Sequence, residues 1–305
     1  MIREGAFIEA LKALATHPAA RGLADDAAVL APLNERLVIT HDMIAEGVHY
    51  LATDPPEDVA WKLIAVNLSD LAAKGATPLA VLMGYALTGD AAWDARFIDG
   101  LRAALIAFDV ALIGGDTVAL PSNAPRVLGL TAIGRAGEHV PSRAGARVGD
   151  ALFVTGMIGD AGLGLLAARG EIDAPALRAV YRRPTPQLAA GHALAPIVTA
   201  MMDVSDGLLI DVQRLAMASE VMIRIDLDAI PLSADYIHHS GQNRAARLAA
   251  ATAGDDYQLA FTASLPLPKL PCCVTRIGQV ASGKGLVIYD REGTVPLPDT
   301  LGWQH

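Results

Sequence analysis

The spacing of apolar residues predicts helices and short strands in the first half of the chain. Helical periodicity covers residues 1–17, 91–108 and Pro55–Ala73, where Glu57 and Asp58 lie in the first turn and Gly75 follows the end. Short apolar runs predict five strands: Ala27–Leu30, Arg36–Thr40, Leu79–Leu87, Val110–Ile113 and Arg126–Gly134. The first half is therefore predicted to be α/β.

A polar, glycine-containing stretch over Pro141–Asp150 separates this half from a second set of elements. We predict an N-terminal domain of residues 1–140 and a C-terminal domain of residues 141–305. The second domain is predicted to alternate strands such as Ala151–Thr155 with helices, one of which opens at Asp203–Gly207. No internal repeat is visible, so two α/β or α+β domains are expected.

Charge then narrows the class of ligand. The 305 residues carry a formal net charge of −9 and contain no dense stripe of Lys and Arg, so nucleic-acid binding is not expected. An acidic chain can still bind a polyphosphate when divalent cations lie between its carboxylates and the phosphates. The aspartates are therefore the residues to follow.

The cysteine content and the hydrophobic runs predict the compartment. Only the adjacent Cys272 and Cys273 are present, too few for a disulfide framework or a zinc site, which favours a reducing cytoplasm. The N-terminal pattern is that of an amphipathic helix rather than a signal peptide. No run of about 18 apolar residues occurs, so no membrane span is expected.

Two glycine-rich segments resemble phosphate loops without meeting their requirements. Gly278, Gly283 and Lys284 approach the P-loop pattern, but Gly285 and a strand-like run follow, so Ser282–Gly285 is predicted to be a hairpin turn. The turn within Thr155–Gly164 precedes a helix but lacks the acidic residue of a dinucleotide fingerprint, which favours a packing role. The chain has no Walker A motif.

Several aspartates lie at the ends of predicted elements, a distribution that is unusual for surface charges. Each stands beside a strand end, a glycine turn or an apolar helix: Asp26, Asp42, Asp70, Asp116, Asp203 and Asp206. Mg²⁺ prefers oxygen ligands and retains water, so single carboxylates from separate loops suit a polyphosphate site, although each one alone could be a cap or turn residue. Asn67, Asp70 and Lys74 share one face of the predicted helix. This polar stripe is either part of a site or a solvated edge of the helix.

Ordered motifs along nearly the whole chain resemble the thiamine-monophosphate kinase family. They are Ala24–Val29, Thr40–Asp42 with Glu46–His49, Val66–Ala73, Gly114–Thr117, the Arg143 segment, Arg183–Pro186, Asp203–Leu208 and Gly254–Tyr257. The family belongs to the aminoimidazole ribonucleotide synthetase superfamily. The resemblance implies a homodimer in which the N-terminal domains form a β-barrel, with the active cleft between the two domains of a chain.

The resemblance also implies the ligands. ATP is the expected co-substrate with several Mg²⁺ ions, and thiamine monophosphate is the expected acceptor. The implied metal positions are Asp26, Thr40, His41, Asp42, Asp70, Asp116, Asp203 and Asp206. The implied ATP positions are Gly115, Asp116, Arg143 and Ser205, and the implied substrate positions are His49, Asp255 and Trp303.

Three positions depart from the family pattern. Ala24 replaces a glycine, His41 replaces a small hydroxyl residue and Asp255 replaces a glutamate. The shorter Asp255 can still accept a hydrogen bond from a pyrimidine amine, and Trp303 can stack on a thiamine ring. Without the resemblance, His49 would be interpreted as an ordinary surface or core histidine, and Trp303 as a packing anchor.

The expected chemistry is direct transfer of the terminal phosphoryl group. The acceptor is a phosphate oxygen that is already anionic, so no strong general base is needed and none is predicted. The enzymatic alternative is an amidine-forming ribonucleotide synthetase of the same superfamily. Selenophosphate synthetase and the hydrogenase-maturation member are disfavoured because the N-terminal and C-terminal cysteines are missing. A non-catalytic nucleotide-binding protein is the alternative of another class.

Overall fold

The computed structural model describes residues 4–25, 27–121 and 124–304. These residues form two units that are compact by their own contacts. The first unit comprises residues 4–71 and Thr77–Glu138, and the second comprises Ala72–Ala76 and residues 139–304. The short segment Ala72–Ala76, which ends the second helix of the chain, therefore belongs to the second unit.

The first part of the chain builds a four-stranded mixed sheet with three α-helices. Its elements are α1 (Glu4–Lys12), β1 (Arg36–Ala45), α2 (Pro56–Ala72), β2 (Thr77–Leu87), α3 (Ala91–Ala107), β3 (Ala111–Ala119) and β4 (Val127–Ala136). The strand order is β1-β4-β2-β3, in which β4 is antiparallel to both neighbours and β2 is parallel to β3.

Aromatic contacts tie the helices of this unit to its sheet. Phe7 of α1 stacks on Tyr85 of β2 with ring centroids 4.3 Å apart, and Tyr85 lies 5.0 Å from Phe97 of α3. Asp90 caps α3 by accepting a 3.1 Å hydrogen bond from the Trp93 amide. The apolar faces of α1 and α3 therefore pack against the sheet.

The second unit contains a seven-stranded mixed sheet and six α-helices among its described residues. Its elements are β5 (Ala151–Thr155), α4 (Asp160–Ala168), α5 (Pro175–Arg182), α6 (Leu188–Leu194), β6 (Ala200–Val204), α7 (Leu208–Ala218), β7 (Met222–Asp226), α8 (Ala234–Ser240), α9 (Arg244–Ala253), β8 (Gln258–Ala263), β9 (Val274–Ala281), β10 (Gly285–Asp290) and β11 (Gly293–Val295). The strand order is β11-β10-β7-β9-β5-β8-β6, and only β7 and β10 pair in parallel. Every residue of β5 and β6 is buried, although β6 is an edge strand of this sheet.

Several sequence predictions are corrected by these strands. Ala27–Leu30, all of it described, is irregular although its burial alternates. Asp42 and Asp116 lie within β1 and β3 rather than after them, because backbone pairing with β4 and β2 continues past the apolar runs. The turn at Ser282–Gly285 is not a hairpin, since β7 lies between β9 and β10.

The sheet of the first unit is open within the described residues. Strands β1 and β3 are its two edges, so one chain alone does not form the predicted barrel. In the part of the chain that the structure describes, every helix is too short or too polar to serve as a membrane span.

Candidate functional site

The polar stripe on α2 faces β1 rather than solvent. Thr40 donates its hydroxyl hydrogen to the Asp70 carboxylate. The Asp42 amide donates to Asn67 Oδ1 at 2.9 Å, and Asn67, which is fully buried, donates to the Leu63 carbonyl at 3.0 Å. These contacts bring Thr40, Asp42 and Asp70 into one polar group. Lys74, in contrast, lies in the turn that follows α2.

The imidazole of His41 lies on the other face of β1. Side chains alternate along a strand, so Thr40 and Asp42 share one face and His41 takes the opposite, exposed face. There His41 Nδ1 lies 2.9 Å from the hydroxyl oxygen of Thr131 on β4. The structure does not bring the His41 side chain to the group that contains Asp70.

Gly115 and Asp116 lie on β3 beside a cavity of about 220 Å³. A Cβ atom at Gly115 would be 2.0 Å from the Met83 carbonyl oxygen of β2, so the close approach of these strands requires glycine. Asp116 is exposed and accepts a 2.9 Å hydrogen bond from the Thr117 amide. Asp25 lines the same cavity, whereas the predicted ligand Asp26 lies outside the described residues.

His49 is positioned by the turn that follows β1. Its Nδ1 accepts a 3.1 Å hydrogen bond from the Ala45 amide, so the neutral ring carries its proton on Nε2. The buried Lys62 of α2 donates to the His49 carbonyl at 2.9 Å. Both the ring orientation and the backbone of this residue are thus fixed by nearby elements.

A buried carboxylate holds the loop between β6 and α7. Asp211 Oδ2 accepts hydrogen bonds from the amides of Ser205 at 3.1 Å and Asp206 at 3.0 Å. Arg214 Nη1 donates to Asp206 Oδ2 at 2.5 Å and to Asp211 Oδ1 at 2.8 Å. Burial raises the pKa of Asp211 to about 6, and the charge of Asp206 adds to this rise. Asp203 is buried within β6.

The same loop contacts the two predicted substrate residues of the second unit, Asp255 and Trp303. The Ser205 carbonyl accepts a 2.7 Å hydrogen bond from the Asp255 amide, and the Asp206 carbonyl accepts one of 2.8 Å from the Trp303 amide. Tyr257 donates its hydroxyl hydrogen to Asp255 Oδ1 at 2.9 Å. The structure therefore brings together Ser205, Asp206, Asp255 and Trp303, and leaves the Trp303 side chain 53% exposed.

The glycine-rich turn before α4 is occupied by a carboxylate of the chain itself. The Gly159 amide lies 2.9 Å from Oδ1 and 3.1 Å from Oδ2 of the buried Asp256. Burial holds the pKa of Asp256 well above its usual range, although the hydrogen bond from the Gly159 amide favours the charged form. This contact agrees with the structural role expected for the turn.

Arg143 lies in an exposed loop that is attached to the C-terminal end of α7. Its carbonyl accepts a 3.0 Å hydrogen bond from the Ser219 hydroxyl, whose oxygen accepts 3.1 Å bonds from the amides of Gly145 and Ala146. The loop is therefore anchored through its backbone. The start of the same helix follows the loop that carries Asp206.

Sequence reasoning missed a buried polar cluster behind the His49 turn. The Arg126 guanidinium lies 3.9 Å from the centre of the Trp93 ring, and Tyr85 donates to Asp94 Oδ1 at 2.7 Å. The Arg126 carbonyl accepts hydrogen bonds from the Glu46 amide at 2.9 Å and the Tyr50 hydroxyl at 3.2 Å. From the sequence, Arg126 is the first residue of a predicted strand and Asp94 lies in the first turn of a predicted helix, and neither position indicates burial.

The carboxylates offer oxygen ligands but no closed metal cage. Among the described residues, no group of three or more His, Cys, Asp or Glu side chains is arranged to hold a metal ion by itself. Asp70, Asp116 and Asp206 carry the hard oxygen donors that Mg²⁺ prefers, and Mg²⁺ usually completes its shell with water and phosphate oxygens. The donor chemistry therefore fits Mg²⁺ bound together with a polyphosphate.

Comparison with known proteins identifies the family. Residues 24–136 match the model of the AIR synthase related protein N-terminal domain, and residues 147–291 match that of the C-terminal domain. A thiamine-monophosphate kinase of Caulobacter vibrioides is 38% identical over 94% of this chain and 86% of its own length. The chain belongs to the thiamine-monophosphate kinase family.

Solved structures of the family share the fold. Thiamine-monophosphate kinase from Stenotrophomonas maltophilia is 37% identical, with a TM-score of 0.80 over 87% of this chain and 89% of that one. A structure described as AaThiL complexed with AMPPCP and TMP is 32% identical, with a TM-score of 0.78 over 98% and 96% of the two chains. The two-domain architecture is therefore that of the family.

Proposed function

We propose that this chain transfers the terminal phosphoryl group of ATP to thiamine monophosphate, which gives thiamine diphosphate and ADP. Membership of the thiamine-monophosphate kinase family supports the reaction, and the relative bound to AMPPCP and TMP supports the pair of ligands. The observation that carries the proposal is the convergence of Ser205, Asp206, Asp255 and Trp303 on one loop. That loop joins a predicted nucleotide and metal contact to the predicted substrate contacts.

The residues suit direct, in-line transfer between two anions. The attacking phosphate oxygen carries negative charge already, so the chain must position it and neutralise repulsion rather than remove a proton. Mg²⁺ would be held by Asp26, Thr40, Asp42, Asp70, Asp116, Asp203 and Asp206, and when bound it neutralises charge on the transferring phosphates. Arg143 would contact ATP with a fixed positive charge, and Gly115 and Ser205 would be further ATP contacts.

The acceptor would be recognised by three side chains of different character. His49 presents a neutral Nε2–H donor, because its Nδ1 accepts from the Ala45 amide. Asp255 presents a carboxylate that Tyr257 orients through its hydroxyl. The exposed indole of Trp303 offers a flat apolar face on which a thiamine ring can stack.

The first unit would supply ATP and metal contacts and the dimer contact, and the second would supply further ATP, metal and substrate contacts. The edge strand β1 exposes Leu37, Ile39 and Met43, with 49%, 63% and 54% of their surfaces accessible. An exposed edge with apolar side chains favours pairing with another strand. Two copies that join at this edge would close the open sheets into one barrel, as a homodimer in the cytoplasm.

The proposed reaction is tested by product stoichiometry. We expect purified protein with ATP, Mg²⁺ and thiamine monophosphate to form ADP and thiamine diphosphate in equal amounts. Chromatography measures both products. Asp42→Asn is expected to lower kcat/KM by about 100-fold or more, because a metal-binding charge is lost. The matched control is Asp99→Asn, an exposed carboxylate on α3 that pairs with Arg102.

Two results would contradict the proposal. ADP release that does not depend on thiamine monophosphate would remove the substrate assignment. Equal loss in Asp42→Asn and Asp99→Asn would remove the metal assignment. Turnover with an aminoimidazole precursor instead would favour the ribonucleotide synthetase alternative.

A further inference from the structure

The geometry points to Arg214 as an internal counter-cation for Asp206. Arg214 pairs with the Asp206 carboxylate when no metal is bound, and Mg²⁺ displaces it from that carboxylate. Arg214 would then remain on Asp211. The inference rests on the proposed function in one respect, the assignment of Asp206 as a metal ligand. It adds a residue outside the family motifs that sets the metal affinity of this ligand.

One guanidinium nitrogen of Arg214 bridges two carboxylates of unequal exposure. Nη1 lies 2.5 Å from Asp206 Oδ2 and 2.8 Å from Asp211 Oδ1. The Asp206 side chain is 21% exposed and that of Asp211 is 1% exposed. Asp206 is therefore the carboxylate that a solvent ion can reach, and Asp211 is the one that it cannot.

Both a metal ion and Arg214 require the negative charge of Asp206. A divalent cation at this carboxylate repels the guanidinium and competes for the oxygen that the guanidinium now contacts. Arg214 would lose one partner but would keep Asp211, so its release leaves no buried charge unpaired. The exchange is thus confined to one side chain.

The loop itself does not depend on the Arg214–Asp206 contact. Asp211 accepts hydrogen bonds from the Ser205 and Asp206 amides through Oδ2, whereas Arg214 contacts Oδ1. The backbone of Asp206 is therefore held in place whether its side chain contacts Arg214 or Mg²⁺. Such an arrangement keeps a metal ligand preorganised and electrically compensated before the metal arrives.

The test measures Mg²⁺ binding directly, on the full chain without nucleotide, by isothermal titration calorimetry at pH 8. Arg214→Met keeps the length of the side chain and removes the competing charge, so we expect Mg²⁺ to bind about 3- to 10-fold more tightly. Arg214→Lys, which keeps the charge, is expected to remain near the wild-type affinity. Arg102→Met, an exposed arginine of α3, is the matched control.

A second measurement separates competition from a general effect on folding. Without metal, Arg214→Met is expected to unfold at a lower temperature than wild type, because Asp206 and Asp211 then repel each other. Added Mg²⁺ is expected to raise its unfolding temperature by more than it raises that of wild type. In an Asp206→Asn background, Arg214→Met should no longer change the Mg²⁺ affinity.

An Mg²⁺ dissociation constant that is unchanged or larger in Arg214→Met would overturn the inference. So would Mg²⁺ binding in wild type that is insensitive to Asp206→Asn. Failure of the proposed function is a separate result, because phosphoryl transfer is not measured here. A chain that shows the expected binding changes but makes no thiamine diphosphate would retain the role of Arg214 and lose the proposed substrate.

Discussion

Three aspartates of the second unit show how burial changes the role of one residue type. Asp206 is partly exposed and contacts Arg214, so solvent can reach its carboxylate. Asp211 is buried and accepts hydrogen bonds from two backbone amides, so it fixes the loop between β6 and α7. Asp256 is buried at the N-terminus of α4, where its carboxylate joins the glycine-rich turn to the segment that carries Asp255.

The burial of Asp256 predicts a specific dependence of stability on pH. Its pKa is raised in the folded state by desolvation, so the folded protein holds this proton more tightly than the unfolded chain does. The stability that it contributes is therefore present below the unfolded pKa of about 3.9 and is lost as the pH rises through the folded value. Asp256→Asn keeps an oxygen acceptor but does not ionise.

We expect the free energy of unfolding of wild type to fall more steeply with rising pH than that of Asp256→Asn. The difference between pH 5 and pH 8 should be on the order of 1 kcal/mol or more, because one pKa unit corresponds to about 1.4 kcal/mol. Urea unfolding at both pH values measures it, with Asp99→Asn as the exposed control. Parallel pH profiles for wild type and Asp256→Asn would contradict the prediction.

The sequence predicted these site residues unequally. Asp206 and Asp255 belong to ordered motifs, so the sequence pointed to them as candidates, and the structure brings their loops together. Asp211 and Asp256 stand in the same stretches but resemble a helix residue and a turn residue. Their importance arises from burial against Ser205, Asp206 and Gly159, which local patterns do not encode. Arg126 and Asp94 were missed for the same reason.

At the level of elements, the backbones of β2 and β3 approach each other so closely at Gly115 that no side chain fits there. These strands are parallel, and after a register shift between Val81 and Leu82 they place Met83 opposite Gly115 and Gly84 opposite Asp116. The backbone of Met83 occupies the space where a Gly115 side chain would begin, so Asp116 can reach its position only if glycine precedes it. The adjacent Gly114 is under no such restriction, since its Cβ would meet only Leu82 Cδ2 at 3.5 Å.

We predict that Gly115→Ala destabilises the first unit and Gly114→Ala hardly affects it. The methyl group at position 115 would lie 2.0 Å from a backbone oxygen, and a rigid strand cannot yield as a flexible side chain does. A loss on the order of 3 kcal/mol is expected for Gly115→Ala. Denaturant midpoints of the two variants provide the measurement, and equal midpoints would exclude this explanation of the glycine.

The prediction of elements was reliable where periodicity was long and failed where pairing decided the outcome. The helix predicted over Pro55–Ala73 is α2 (Pro56–Ala72), because many apolar positions mark one face. The strand predicted over Arg36–Thr40 continues to Ala45, since hydrogen bonds with β4 carry it past Asp42. Ala27–Leu30 has the alternation of a strand but no strand partner in the described chain.

At the scale of the whole molecule, the open sheet of the first unit predicts association. A lone chain leaves the β1 edge unpaired and exposes apolar side chains along it, a combination that folded monomers usually avoid. The proposed homodimer would cover this strand, so the oligomeric state should depend on its outward-facing residues.

We predict that Ile39→Lys shifts the protein from dimer to monomer. A lysine at the centre of the exposed face would be buried without a partner in the dimer, at a cost of several kcal/mol. Sedimentation velocity over a range of concentrations measures the shift. Ile106→Lys is the matched control, because Ile106 is 74% exposed and lies on α3 rather than on β1. A monomeric wild type, or identical behaviour of both variants, would contradict the prediction.

The assignment of Ala72–Ala76 to the second unit has a consequence for how the chain can be divided. The backbone passes between the two units three times, after Leu71, after Ala76 and after Glu138. A protease that cuts once near residue 139 would leave the second unit without its short N-terminal segment, whose Ala72 and Ala73 pack in the same core as Phe153 and Leu194. The second half of the chain is therefore incomplete as a fragment, because two residues of its core come from the first half of the sequence.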